Sequence, residues 1–137
     1  MTGVLLDLQA RLAAASFTTP IALGRVPDQP DLVLTLMEYP GERSRDFDAS
    51  MRPVLERISV RMIARASKNA GVSAAEAIAW LAYRALRGKH VSITRAGSTR
   101  TYDWITANAV PAPLGHDEND RPLYIVKWSL QRHGDLT

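Results

Sequence analysis

The 137-residue chain contains no cysteine, which excludes disulfides, thiolate zinc sites and cysteine nucleophiles. Lysine is scarce as well: 14 of the 17 basic residues are arginine. No apolar run approaches the roughly 20 residues that a membrane helix needs. The opening MTGVLLDLQARLAAASF has no basic segment ahead of its apolar residues, and Asp7 interrupts them; it does not read as a signal peptide. A glycine-rich phosphate loop, a G-x-S-x-G elbow and an H-E-x-x-H pair are all missing from the sequence, which removes the common signatures of nucleotide, serine-hydrolase and zinc-protease chemistry.

What is present is the balance of a folded protein, with 46% hydrophobic and 23% charged residues. The length suits one ordinary domain spanning 1–137, large enough to bury a core. A net charge of +3 carried mainly by arginine points to planar, bidentate contacts with carboxylates or phosphates, either between subunits or with nucleic acid.

Hydrophobic spacing predicts an amphipathic helix over 2–16, capped by Thr2, with Val4, Leu5, Leu8, Leu12 and Ala15 on one face. IALGRVPDQPD then reads as a proline-rich connector, and LVLTLMEYPG (32–41) as a buried strand. GERSRDFDASMRP (41–53) has no usable periodicity and reads as a long loop. VLERISVRMIARA (54–66) alternates: Val54, Ile58, Val60, Met62 and Ala64 point one way, and Arg57, Ser59, Arg61 and Arg65 the other. Glu56 and Ile63 break that alternation. A second helix follows in GVSAAEAIAWLAYRALRG, with Ser73 and Glu76 as a capping box, Ala74, Ala77, Ile78, Leu81, Ala82 and Ala85 as the packing stripe, and Gly88 closing its end. HVSITRA and TRTYDWITANAV form a hairpin turning at Gly97-Ser98, and LYIVKWSLQRH (123–133) is the last strand. The expected fold is therefore α+β: a mostly antiparallel, mixed sheet with two helices packed on it, in the order α-β-β-α-β-β-β.

Two stretches invite a functional reading. In PAPLGHDENDRPLYIVKWSL (111–130), His116, Asp117, Glu118 and Asp120 crowd together. Counted from Asp117 as a calcium loop, the sixth residue is Pro122 and the twelfth Trp128, so the template fails. His90 and His133 supply no paired zinc spacing, and adjacent carboxylates in a polar turn have nothing to separate their pKa values. Turn formers and prolines make this stretch a connector between strands. The arginines at 57, 61 and 65 fit a solvated sheet face, a subunit interface or a phosphate-binding groove. No aromatic interleaving of the kind single-strand binders use accompanies them. No catalytic residue, metal or cofactor is expected.

Taken in order, RVPDQPDLVLTLMEYPG, the strand PVLERISVRMIARA, the helix SAAEAIAWLAYRALRG and the closing PAPLGHDENDRPLYIVKWSL resemble the phage minor capsid or tail terminator family over residues 20–135. The closest correspondence lies in Pro113, Leu114-Gly115, Asp117-Glu118 and Arg121 ahead of the last strand. The resemblance implies a subunit of a hexameric ring on the tail tube at the head–tail junction of the virion. Its partners would be the tube protein and a head-completion protein, with genomic DNA passing through the lumen and no membrane involved. On this view Arg57, Arg61 and Arg65 are candidate interface or lumen contacts, and Glu42, Asp46 and Asp48 are their acidic counterparts on a neighbour, since a head-to-tail ring needs two different patches per subunit. A head-completion or connector protein of the same particle, or a small basic nucleic-acid-binding protein, is the competing reading. A hydrolase built on Asp117 or Glu118 ranks last.

Overall fold

A computed structural model describes residues 3–39, 44–47 and 53–133, the side chains of 44–47, 53, 54 and 133 excepted. In chain order the elements are α1 (Gly3–Ala14), β1 (Ile21–Leu23), β2 (Val33–Glu38), β3 (Ser44–Phe47), β4 (Pro53–Arg65), α2 (Val72–Leu86), β5 (Gly88–Arg95), β6 (Ser98–Ala107), β7 (Ala112–His116) and β8 (Pro122–His133). The strands form one sheet in the order β1-β2-β4-β8-β6-β5, with β3 added beside β4 and β7 beside β8. Only β1–β2 is parallel; the other pairs are antiparallel. This is the expected α+β class, with more strands than the sequence pattern predicts.

The long β4–β8 pair is the spine, in register from Leu55 opposite His133 to Arg65 opposite Leu123. Directly opposite residues share a face, so Ile58, Val60, Met62 and Ala64 lie with Leu130, Trp128, Val126 and Tyr124. All eight are buried in one core with Val4, Leu5, Leu8 and Leu12 of α1 and Ile78 and Leu86 of α2. Both helices therefore cover the same face of the sheet. The small side chains Ala75, Ala79 and Ala82, none of them exposed, let α2 approach closely. Without larger residues there, the contact depends on short interatomic distances across the interface.

Several local expectations change. Three-residue β1 replaces part of the predicted connector: Ile21–Leu23 pairs with Leu34–Leu36, a partnership too short to leave a sequence period. β3 occupies part of the predicted 41–53 loop, pairing Ser44 with Arg57 and Asp46 with Leu55. α2 begins after Gly71, whose positive φ of 81° sets the entry, and no side chain caps it. Ser73 is thus inside the helix, and Glu76 accepts from the Tyr124 hydroxyl at 3.1 Å instead of completing a capping box. The packing stripe sits one residue further on than predicted: Ala75, Ile78, Ala79, Ala82 and Leu86 are buried, whereas Leu81 is 54% exposed. Arg87 caps the helix end, and Gly88 already belongs to β5. The hairpin turn is Ala96–Gly97, both at positive φ, as a two-residue turn matching strand twist requires. The Thr2 cap lies outside the described residues.

Candidate functional site

The face of the sheet turned away from the helices divides into two halves with different surroundings. At one end lie Val33, Arg65 and Leu123, in register on β2, β4 and β8. Arg65 is buried at 2% exposure because a loop folds over it. Its Nε donates to the Asp31 carbonyl at 3.0 Å, and a terminal nitrogen donates to the Pro30 carbonyl at 2.7 Å. Arg121 completes the clamp, donating to the Asp28 carbonyl at 2.6 Å, to Asp31 Oδ1 at 3.0 Å and, through Nε, to Asp117 Oδ2 at 2.7 Å. Burial lowers the pKa of Arg65, and the positive charge of Arg121 lowers it further, against the opposing pull of Asp117, Asp31 and Asp28. Two arginines thus tie loop 28–31 to the β7–β8 turn. Neither backbone carbonyls nor a buried guanidinium leave that tie much freedom.

The crowded acidic stretch belongs to this clamp. Asp117 Oδ1 accepts from the backbone N–H of Asn119 at 3.0 Å and of Arg121 at 2.9 Å, an Asx-type turn. Partial burial pushes the Asp117 carboxyl upward, but the Arg121 backbone and guanidinium donors and the Asn119 N–H outweigh it and hold the pKa below the usual carboxylate range. Residues Ala112–His116, expected as connector, form the short edge strand β7. Pro113 and a register shift before Gly115 disturb its pairing with β8, as suits an edge that must not recruit further strands. Exposed Asp28, Glu118 and Asp120 turn carboxylates toward solvent at this corner, with Lys68 3.7 Å from Asp120 as an exposed cation among them. Among the described residues no group of histidines and carboxylates is arranged to hold a metal ion.

The other half of the same face is basic, and no loop folds over it among the described residues. Three rows cross it, read from the strand registers. The first is Met37, Arg61 and Lys127; the second Ser59, Ser129 and Thr106; the third Arg57, Gln131, Trp104 and Lys89. Arg57, Thr106, Lys127 and Lys89 are exposed, and Arg61 is half-buried. Like charges directly opposite each other on adjacent strands repel, yet Arg61 faces Lys127. Tyr39 relieves part of that repulsion, with Arg61 5.0 Å and Lys127 5.9 Å from its ring centre. Arg61 Nε is buried without a hydrogen-bond acceptor. Arg57 donates to Gln131 Oε1 at 3.1 Å, and Gln131 donates to Asp103 at 2.9 Å.

The three sequence-predicted arginines do share a face, but the structure separates them. Arg57 and Arg61 stand on the basic half, and Arg65 is enclosed by its own chain. Lys127 and Tyr39 are missed by inspection of the arginine strand alone; the alternation of β8 carried the signal for Lys127, and nothing local carried it for Tyr39. Glu42 and Asp48 lie outside the described residues. Asp46 stands in β3 opposite Leu55, with its side chain likewise outside them.

A third charged group lies inside the molecule. Asp7 of α1, fully buried, accepts from Arg95 Nε at 3.0 Å, Arg100 at 3.4 Å and the Tyr102 hydroxyl at 2.6 Å. Arg132 stands 3.8 Å from Asp7 and 3.6 Å from buried Glu56. Burial, then the bond to Asp7, raises the Tyr102 pKa well above that of ordinary tyrosine. This network joins α1 to β5, β6, β8 and β4, and it explains why Asp7 interrupts the apolar run and why Glu56 breaks the strand alternation.

The sequence profile described as bacteriophage tail terminator protein matches residues 8–131. The chain belongs to the bacteriophage tail terminator family. As a family member it is a structural component of the virion, placed at the tail and head–tail junction. No curated protein sequence matches it. Among solved structures, a chain from the virion of a native gene transfer agent particle superposes with a TM-score of 0.58 at 15% identity, over 94% of this chain and 93% of that one. At that identity the match shows a shared fold.

Proposed function

We propose that the protein assembles head to tail into a hexameric ring on the end of the tail tube, where it stops tube polymerisation and offers a surface to a head-completion protein. The genome would pass through the lumen of the ring. The observation that carries this reading is the family match over residues 8–131. The electrostatics agree with it: one subunit carries a basic patch and an acidic patch at different places, as a heterologous contact requires. Catalysis has no part in the proposal. Of the two carboxylates that looked most like an acid–base pair, Asp117 is a turn and clamp acceptor and Glu118 is exposed. Arg57 and Arg61 face a neighbouring subunit or the lumen, while Arg65 holds the subunit's own loop.

Light scattering of the purified protein, followed by negative-stain imaging with tail tubes added, tests this. A ring, or a monomer that becomes a cap on tube ends, is the expected result. A monomer that ignores tubes and binds duplex DNA with a steep salt dependence would favour a nucleic-acid-binding protein instead. Binding to the portal side of the particle in preference to tubes would make it a head-completion protein.

A further inference from the structure

We propose that the basic half of the sheet, centred on Arg61 and Lys127, seats the acidic loop corner of a second copy of this chain. The corner consists of Asp28, Asp31, Glu118 and Asp120. This rests on the ring reading above and names the two patches that such a ring would join.

Four observations on the molecule lead to this pairing. First, Arg61 and Lys127 are direct cross-strand neighbours, an arrangement that costs stability in the isolated subunit and is relieved when carboxylates arrive. Second, Arg61 Nε is buried with no acceptor, so the free subunit leaves a strong donor unmade beside the open surface. Third, the chain supplies a complementary surface of its own. Asp28 is 83% and Asp31 47% exposed at the side chain although both pair with Arg121, and Asp120 is 72% exposed beside Lys68 at 3.7 Å. Fourth, the corner is held in shape before any partner arrives, because Arg65 and Arg121 bond its backbone carbonyls and Asp117. A preorganised loop loses little entropy on docking. The two patches lie at different places along the β4–β8 pair: Arg65 and Leu123 mark the acidic end, and the basic patch runs from Arg61 and Lys127 near the middle to Arg57 and Gln131. Among the described residues Arg61 and Lys127 make no ion pair with the corner of their own subunit. Docking between copies can supply one, and opposite charge there sets the register of the contact.

The test is a charge swap in the full-length protein. Arg61→Glu with Lys127→Glu reverses the face, and Asp28→Lys with Glu118→Lys reverses the corner; all four positions are at least partly exposed. Neutral Arg61→Gln with Lys127→Gln guards against a folding defect, and thermal melts confirm that each variant is folded. Each reversed variant alone should need at least tenfold more protein to assemble than wild type. Mixed one to one, they should assemble again, because in an alternating ring each reversed face meets a reversed corner and each unreversed face meets an unreversed one. Assembly of both variants at wild-type concentrations overturns the pairing while leaving the ring reading intact. So does a face variant that fails to assemble beside a corner variant that assembles normally, since the face then meets something else. Unchanged assembly combined with loss of duplex DNA binding in the face variant likewise overturns it, in favour of a phosphate partner. A wild-type protein that stays monomeric even with tube ends removes the ring reading and this inference with it.

Discussion

At the scale of single residues, the most consequential side chain is Asp7. A carboxylate with no exposed surface survives only because Arg95, Arg100 and Tyr102 all donate to it; removing it leaves the half-buried Arg95 and Arg100, buried Tyr102 and nearby buried Arg132 without their shared anion. Asp7→Ala is expected to cost about 3–5 kcal/mol, the usual penalty for breaking a buried ion pair from one side, measurable by urea denaturation. A loss below about 1 kcal/mol would show that the arginines relax into water. Asp117 illustrates the opposite case, a carboxylate near the surface that orders a turn. Folding lowers its pKa, so its contribution is complete above the unfolded value of about 3.9 and is lost as pH falls through the lower folded value. Asp117→Asn should therefore be less stable than wild type at pH 7, with the difference shrinking as the pH falls below 4. A gap of constant size from pH 7 to pH 3 would mean that the charge of Asp117 is not what matters.

At the scale of elements, α2 is set by what lies beneath it. Ala75, Ala79 and Ala82 have no exposed surface, so there is no room for a larger side chain at the helix–sheet contact. Ala79→Leu is expected to destabilise by about 1–3 kcal/mol through overpacking, readable as a lowered denaturation midpoint. A neutral result would place slack in the core. The β5–β6 turn is a conformational problem rather than one of space. Gly97 sits at φ 81°, and a Cβ there would meet nothing within 4 Å. Gly97→Ala should cost roughly 1 kcal/mol from backbone strain alone. The sequence pattern made both helices and the five longer strands legible, β2 as an aliphatic run closed by Pro-Gly and the others over eight or more residues. β1, β3 and β7 were not legible: they span three, four and five residues and exist because a longer strand offers them an edge.

At the scale of the whole molecule, β8 holds the parts together, since it pairs with β4, β6 and β7, its inner face packs under α2, and its Arg132 reaches Asp7 of α1. No described element forms a core that excludes it. Thermal unfolding should accordingly be a single cooperative transition, with Trp128 fluorescence, from a residue 1% exposed, tracking the loss of secondary structure by circular dichroism. Two separated transitions would mean that the β5–β6 hairpin, or the loop clamp, melts on its own.

Composition and periodicity alone determined the class of this protein, an α+β domain with two helices and a sheet of alternating strands, because burial imposes periods of 3.6 and 2 on any sequence that folds this way. The same residues carried the family resemblance, and they showed that Arg57, Arg61 and Arg65 share one face. Only the tertiary structure decided what each arginine does. Arg65 is enclosed because a loop some 35 residues earlier in the chain folds over it, and Arg61 is only half-buried because no loop covers its part of the sheet among the described residues. Charge is written in the sequence, but the partner that neutralises it depends on contacts between distant segments, and alternation along a single strand holds no information about those.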